Sequence, residues 1–329
     1  MNDNELTTNT NEHTVEINGS EAIDQTYPSK PKVSSGKNQF STSIISAVIY
    51  LASAHFILNW DLGFILKVTG VLVLHELGHF MTMKLYKYKN LKMLFLPMLG
   101  AAVIGDKDKI TQKENAIVAL AGPLPGIILG VFLYAFGLIN NNKEFISLAN
   151  IAIIINAFNL LPFMPLDGGR IFNSLFFNKS KMLEAVFIII SILCLTSVAV
   201  YIENYILLII PLFLVLRLVN SYKLKKVHSK LDQDRVSYNK SFDELNDEEY
   251  WKIRKELAAH FPNIAKLVGD NKLAEAKQEE KIIMHVKNAL ERKYVKDLNL
   301  LGKIGFVVLW LTAFALPLLG IGLAHLYLN

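Results

Sequence analysis

The residues in this sequence best suited to chemistry are His75-Glu76-Leu77-Gly78-His79. The two histidines are four positions apart, so on a helix both imidazoles project from one face. Glu76 lies one residue along, close enough to act on a water held by a metal. Chance would supply one such H-E-x-x-H in a chain with these His and Glu frequencies roughly once in a hundred. The motif follows Val71-Leu72-Val73-Leu74 and precedes Phe80, so it is written into an apolar run. An ionisable group at the centre of a membrane helix costs about 2.5–3.5 kcal/mol or more, so this trio requires a compensating ion, water or partner. Zn2+ is the economical compensator, and the alternative is a polar trio satisfied by neighbouring helices. A catalytic zinc takes three protein ligands and keeps a fourth position open. A third ligand must therefore be sought.

The candidate lies in Asn156-Ala157-Phe158-Asn159-Leu160-Leu161-Pro162-Phe163-Met164-Pro165-Leu166-Asp167-Gly168-Gly169-Arg170. Two prolines three residues apart end a helix, and the glycines after Asp167 let the backbone bend. The break delivers one carboxylate, that of Asp167. Taken alone, an Asp before Gly-Gly also reads as a cap or turn residue.

The elements that must position these groups are membrane helices. Of 329 residues, 52% are apolar and 19% charged, a composition that argues for a membrane protein. Roughly 20 apolar residues span the ~30 Å hydrocarbon core. On that criterion six or seven spans are expected, near 43–59, 62–83, 115–139, 146–163, 182–201, 204–219 and 303–327. Only Ile202, Glu203 and Asn204 separate the fifth and sixth, which favours a tight hairpin. Residues 1–40 are polar and short of large apolar side chains, which predicts a disordered tail, and they lack the apolar core of a secretory signal. The first apolar run is thus expected to stay as an anchor.

Basic residues fall on alternate loops: Lys84, Lys87, Lys89 and Lys92, then Lys107, Lys109 and Lys113, then Arg170, Lys179 and Lys181. This pattern predicts a cytoplasmic N-terminus and a cytoplasmic block at 221–300. It also places His79 and Asp167 at similar depths, because the second and fourth spans run the same way. The net charge of +5 follows the ends of apolar runs, so no nucleic-acid partner is expected. The single cysteine, Cys194, excludes an intrachain disulfide.

Residues 221–300 hold 17 of the 34 basic residues. Tyr250, Trp251, Ile253, Leu257 and Phe261 recur at helical spacing, and Ser241 with Glu244 suits a capping box, so a small helical insert is expected there. Its role reads equally as a linker or as a partner-binding unit. Residues 91–104, LKMLFLPMLGAAVI, are apolar but too short to cross as a helix, and Pro97 and Gly100 interrupt them. They read as a re-entrant or extended loop. The expected fold is thus an α-helical polytopic membrane protein with a short re-entrant β-like loop and a small helical cytoplasmic insert. The domains are a tail (1–40), a transmembrane core (41–220), the insert (221–300) and a C-terminal transmembrane helix (301–329).

HELGH in one span and N-x-x-P-x-x-P-L-D-G-G in a later one resemble the site-2 protease family of intramembrane zinc metalloproteases. The resemblance covers about residues 60–180. It implies that His75, His79 and Asp167 are zinc ligands, that Glu76 is the general base, and that Asn159 positions substrate or stabilises the oxyanion. It further implies that 91–104 is a membrane re-entrant β-loop, that Ala121-Gly122-Pro123 is a small-residue motif of the third core span, and that the membrane is a bacterial inner membrane. No Gly-rich PDZ-like insert is visible, and 221–300 does not resemble the CBS domains of some relatives.

The expected reaction is hydrolysis of a peptide bond in or near a substrate's membrane helix, which must unwind first; 91–104 would then pair with the freed backbone by strand addition. The competing class is a non-proteolytic zinc-dependent binding or maturation factor, or an ion carrier. An intact Glu76 argues against a purely structural metal. His13, His228, His260, His285 and His325 have no ligand-spaced partner and are expected to be solvated or locally satisfied, while His55 in the first span reads as a hydrogen-bonded packing residue, with the lining of a water path or gate as the alternative. Lys67 is expected to snorkel to the outer interface.

Overall fold

The computed structural model of the chain describes residues 27–31, 39–96, 100–177, 180–267, 276–291 and 293–328. Most of the expected tail and the tip of the 91–104 loop, at 97–99, lie outside the described residues.

Each of the seven apolar runs forms helix. The first two are α1 (Gln39–Phe56) and α2 (Leu62–Leu85). The third run is the pair α3 (Gln112–Ala121) and α4 (Pro123–Ile139), joined through Gly122 with helical dihedrals and a proline at the first turn of α4. Next come α5 (Lys143–Asn159), the short α6 (Asp167–Phe172) running into a π-helical turn, and α7 (Lys181–Tyr201). After a break at 202–204 the chain re-enters helix and continues as α8 (Ile209–Gln233). Among the described residues five helical segments are long and apolar enough to cross a membrane: α2, the α3–α4 pair, α7, α8 with its preceding turn, and the last helix. The apolar part of α1 is shorter, and α5 stops at 17 residues where the proline-containing break begins.

Side-chain caps explain the helix starts. Asp61 accepts from Phe64 N at 2.8 Å, Thr111 from Glu114 N at 3.1 Å, and Asn142 from Glu144 N at 2.9 Å. The expected 91–104 loop is an antiparallel hairpin of β1 (Lys89–Leu96) and β2 (Gly100–Asp106), with Leu96 opposite Gly100. Gly100 has φ +98°, a conformation that suits glycine at the start of a returning strand. Ser46 on α1 accepts from Phe95 N at 3.1 Å, and Tyr50 packs on the Phe95 ring, so α1 holds β1 in place.

Residues 221–300 form the expected helical unit. The strand β3 (Lys109–Thr111) pairs in parallel with β4 (Lys293–Val295), tying this unit to the core just before α12 (Leu300–Leu328). The capping box at Ser241–Glu244 is present, and a second, Asn246–Glu249, opens α9 (Asp247–His260). The short α10 (Pro262–Ala265) and α11 (Ala276–Ala289) complete the unit. Val227 and Leu231 from the far end of α8 join Tyr250, Ile253, Leu257, Ile282 and Val286 in one buried core. Thus α8 is a single rod with one end apolar and the other built into the polar unit. Residues 27–31 lie extended on this unit. Lys30 Nζ donates to the carbonyls of Phe242 and Leu245 at 2.8 and 2.6 Å, and Trp251 Nε1 donates to Pro28 O at 2.6 Å.

Candidate metal centre

Two contacts set α2 against α5 in parallel. Near their starts Lys67 pairs with Glu144 at 2.6 Å, so this lysine reaches a carboxylate rather than simply the interface. One helical stretch further on, His75 Nδ1 meets Asn156 Oδ1 at 2.8 Å. The α2 helix approaches the α3–α4 junction closely enough that a methyl group on Gly78 would collide with the Ala121 carbonyl, and one on Gly122 with the His79 imidazole. This gives the small residues of Ala121-Gly122-Pro123 a steric reason.

The break after α5 carries Asp167 to the histidines. Its freed groups find partners on other helices: Trp310 Nε1 of α12 donates to Leu160 O at 2.7 Å, and Met164 N donates to Ser191 Oγ of α7 at 3.0 Å. The Met164–Pro165 peptide is cis. Asp167 is the first residue of α6, yet its carboxylate serves side chains, since that helix has no side-chain cap. Arg170 Nη1 donates to Asp167 Oδ1 at 3.1 Å, while Oδ2 lies 3.1 Å from both His75 Nε2 and His79 Nε2. The two Nε2 atoms are also 3.1 Å apart. All three side chains are buried, at 3%, 5% and 5% exposure for His75, His79 and Asp167.

The hydrogen bonds on the far side of each ring assign the protons. His79 Nδ1 faces Val118 O at 2.7 Å, a carbonyl that only accepts. Asn156 Nδ2 donates to Ala152 O at 2.7 Å, so its Oδ1 is the atom presented to His75. Both Nδ1 atoms therefore donate, and in the neutral rings both Nε2 lone pairs face the carboxylate. Three acceptors at 3.1 Å, with no proton of their own to share, leave a point that suits a cation. Tetrahedral Zn2+ with ligands at ~2.0–2.1 Å separates its donors by about 3.3 Å, and two imidazoles with one carboxylate are a donor set it takes. These residues fit zinc. Among the described residues this is the one group of three or more His, Cys, Asp or Glu side chains close enough to share a metal.

Glu76 is buried beside these groups at 5% exposure, and its Oε2 has no hydrogen-bond partner among the described residues. An unpartnered buried carboxylate oxygen is costly unless it has a task. Asn159 donates its amide to Ile155 O at 3.0 Å, within its own helix. Asn156, one turn earlier, is the asparagine that touches a histidine, and it is fully buried. The sequence signal for it was a strong amide among Ala149, Ala152 and Ile153 on the buried stripe of α5. His55 bonds Trp60 O at 3.2 Å and His228 bonds Ala289 O at 2.8 Å, so both are locally satisfied as expected.

Residues 63–147 match the family model of peptidase family M50, a segment that runs from α2 through the hairpin to the start of α5. Over this segment the chain is similar to family M50. The resemblance to site-2 proteases is borne out by its relatives as well. A zinc metalloprotease of Methanocaldococcus jannaschii is 35% identical over 131 residues, covering 38% of each chain. Stage IV sporulation protein FB of Bacillus subtilis is 26% identical over 132 residues, covering 39% of this chain and 45% of the relative. A putative zinc metalloprotease of Synechocystis is 32% identical over 123 residues, covering 35% and 32%. The matches thus span less than half the length of each of these relatives, from 32% to 45%. Among solved structures, a site-2 protease from M. jannaschii is similar at 25% identity, with a TM-score of 0.39, covering 53% of this chain and 84% of that one. With its apolar helices, the chain is an integral membrane protein of mainly helical, polytopic build.

Proposed function

We propose that this protein is an intramembrane zinc metalloprotease, which hydrolyses a peptide bond in or near a transmembrane segment of a membrane-protein substrate. One observation carries the reading: three acceptor atoms of His75, His79 and Asp167 converge at 3.1 Å, and Glu76, whose buried Oε2 has no partner among the described residues, is one residue from the first of them. In this reading the three converging groups hold Zn2+ and Glu76 is the general base. Bound zinc supplies Lewis acidity for the scissile carbonyl and an acidified water. Glu76 takes the water proton and delivers it to the leaving amine. Arg170 keeps Asp167 turned toward the histidines, while Asn156 and Val118 O keep both rings in the tautomer that leaves Nε2 free. Asn159 serves as a substrate or oxyanion donor once its bond to Ile155 O is exchanged. The hairpin β1–β2 lends backbone partners to an unwound substrate by strand addition.

The division into a cytoplasmic tail (1–40), a metalloprotease core (41–220), a helical cytoplasmic insert (221–300) and a final membrane helix (301–329) belongs to the same reading. Contacts of 27–31 with the helical unit support a common side for the two, and the lysine-rich loops support the cytoplasm as that side. A bacterial inner membrane follows from the family resemblance.

Glu76→Gln tests the assignment. The variant should bind one zinc per chain and leave membrane-protein substrates uncut, with those substrates accumulating in the membrane. Cleavage that persists unchanged in cells carrying the variant would show that the cutting is done elsewhere and would overturn the enzyme reading in favour of a non-proteolytic zinc-dependent factor or carrier.

A further inference from the structure

The proposed chemistry leaves unused a cleft of about 630 Å3 where the start of α7, the middle of α8 and the end of α11 meet. Its wall changes character along its length. Met182, Ile188 and Leu218 are apolar, whereas Lys181, Arg217 and Lys225 are cationic. The apolar stretch belongs to two of the helices suited to crossing a membrane. Beside it Met182 is 76% and Val219 46% exposed in the protein alone, so hydrocarbon is the natural neighbour of this side. The cationic stretch continues along α8. From 217 to 230 that helix carries Arg217, Lys223, Lys225, Lys226 and Lys230, and no Asp or Glu occurs before Asp232.

Ion pairs leave part of this charge over. The two carboxylates of the cleft are engaged, Glu184 by Arg217 at 3.2 Å and Glu291 by Lys181 at 2.5 Å. Lys225 has no carboxylate partner among the described residues. Arg217 uses only Nη2 on Glu184, and its remaining N–H groups suit a phosphate oxygen. A cluster of four or more basic residues where a spanning helix leaves the bilayer, opening on a pocket between helices, is the footprint of an anionic lipid headgroup.

We propose that this cleft seats an anionic phospholipid from the leaflet on the side of the helical unit. Its phosphodiester rests on Arg217 and Lys225, and one acyl chain runs along Met182 and Leu218. A free phosphate would satisfy the cations and leave the apolar wall wet, and a zwitterionic lipid brings its own cation to the same point. The site stands apart from the metal centre and does not depend on the protease reading. It would make the packing of α7, α8 and α11 sensitive to the charge of the surrounding membrane.

The test uses the full chain, purified in a neutral detergent and stripped of lipid, titrated in parallel with short-chain phosphatidylglycerol, short-chain phosphatidylcholine and glycerol phosphate. Phosphatidylglycerol should bind saturably at one site and raise the melting temperature, with the other two failing at the same concentrations. Lys225→Gln, at an exposed position, should keep the unliganded melting temperature and weaken phosphatidylglycerol about fivefold, equivalent to ~1 kcal/mol per basic side chain at an anionic surface. Equal binding of glycerol phosphate would reassign the cleft as a free-anion site, and equal binding of phosphatidylcholine would reduce it to ordinary lipid contact. An unaltered affinity in both Lys225→Gln and Arg217→Gln would also overturn the proposal. If Arg217→Gln unfolds through loss of the Glu184 pair, Lys225→Gln alone decides.

Discussion

Asn156 holds the imidazole of His75 from behind, Oδ1 to Nδ1 at 2.8 Å, and its own amide is anchored on Ala152 O. The bond joins α5 to α2 at the level of the proposed metal centre and selects the His75 tautomer with a free Nε2. Outer partners of this kind typically change metal affinity about 10–100-fold when removed. Asn156→Ala should weaken zinc by that factor, measured by competition with a chelator, while circular dichroism stays helical. Zinc retention equal to that of the natural chain would remove Asn156 from the centre.

Two glycines near the candidate metal centre, Gly70 and Gly122, should part company on substitution. A methyl group at Gly122 collides with the imidazoles of both His75 and His79, whereas one at Gly70 on α2 meets nothing within 4 Å. Gly122→Ala should lose zinc. Gly70→Ala should keep zinc and raise stability by about 0.5–1 kcal/mol, the helix preference for alanine over glycine. Zinc analysis and thermal unfolding of the two variants side by side check the contrast.

Trp310 reaches from α12 to the Leu160 carbonyl at the mouth of the break that carries Asp167. Trp310→Phe keeps an aromatic ring against Phe172 and removes the donor. A buried carbonyl left without its partner costs about 1–3 kcal/mol. The variant should melt lower by that amount and bind zinc more weakly, because the break then has one tether fewer. Unchanged zinc affinity would mean that Ser191 alone suffices to hold the break.

Within the helical unit Arg254 is 1% exposed and pairs with Glu279 at 3.0 Å, and Tyr250 donates to the same carboxylate at 2.6 Å. Burial, together with the carboxylate beside the hydroxyl, raises the Tyr250 pKa and keeps it protonated. Glu279→Ala leaves a buried guanidinium without this partner, a loss of about 3–5 kcal/mol. Hydrogen exchange should accelerate across α9 and α11 while zinc content is unchanged. Loss of zinc in this variant would show that the unit and the metal centre fold as one.

The spacing of His75 and His79 needed only the helical period to be read, and the Pro162–Pro165 break announced itself because proline cannot continue a helix. The hairpin at 91–104 was legible for a similar reason: an apolar stretch too short to span and broken by proline and glycine has few other conformations. The partners of those groups were not legible. Val118 contributes a backbone carbonyl, which every residue possesses, so nothing in its side chain marks it. Trp310 lies 150 residues from Leu160, and an indole in an apolar helix carries no address. The docking of 27–31 was hidden because the segment's composition is that of a solvated tail, and its order comes from carbonyls and a tryptophan more than 200 residues away.

Local chemistry and periodicity determine by themselves that this chain crosses membranes, where its helices begin and break, and which side chains are capable of binding a metal. Only the tertiary structure decides that His75, His79 and Asp167 present three acceptors to one point, because that depends on which nitrogen of each ring is engaged elsewhere. Convergence of this kind is a property of distances between elements, set by glycine contacts, by two tethers on a broken helix and by a parallel pairing of α2 with α5. None of those forces acts between neighbours in the chain, so none leaves a periodic trace in the sequence.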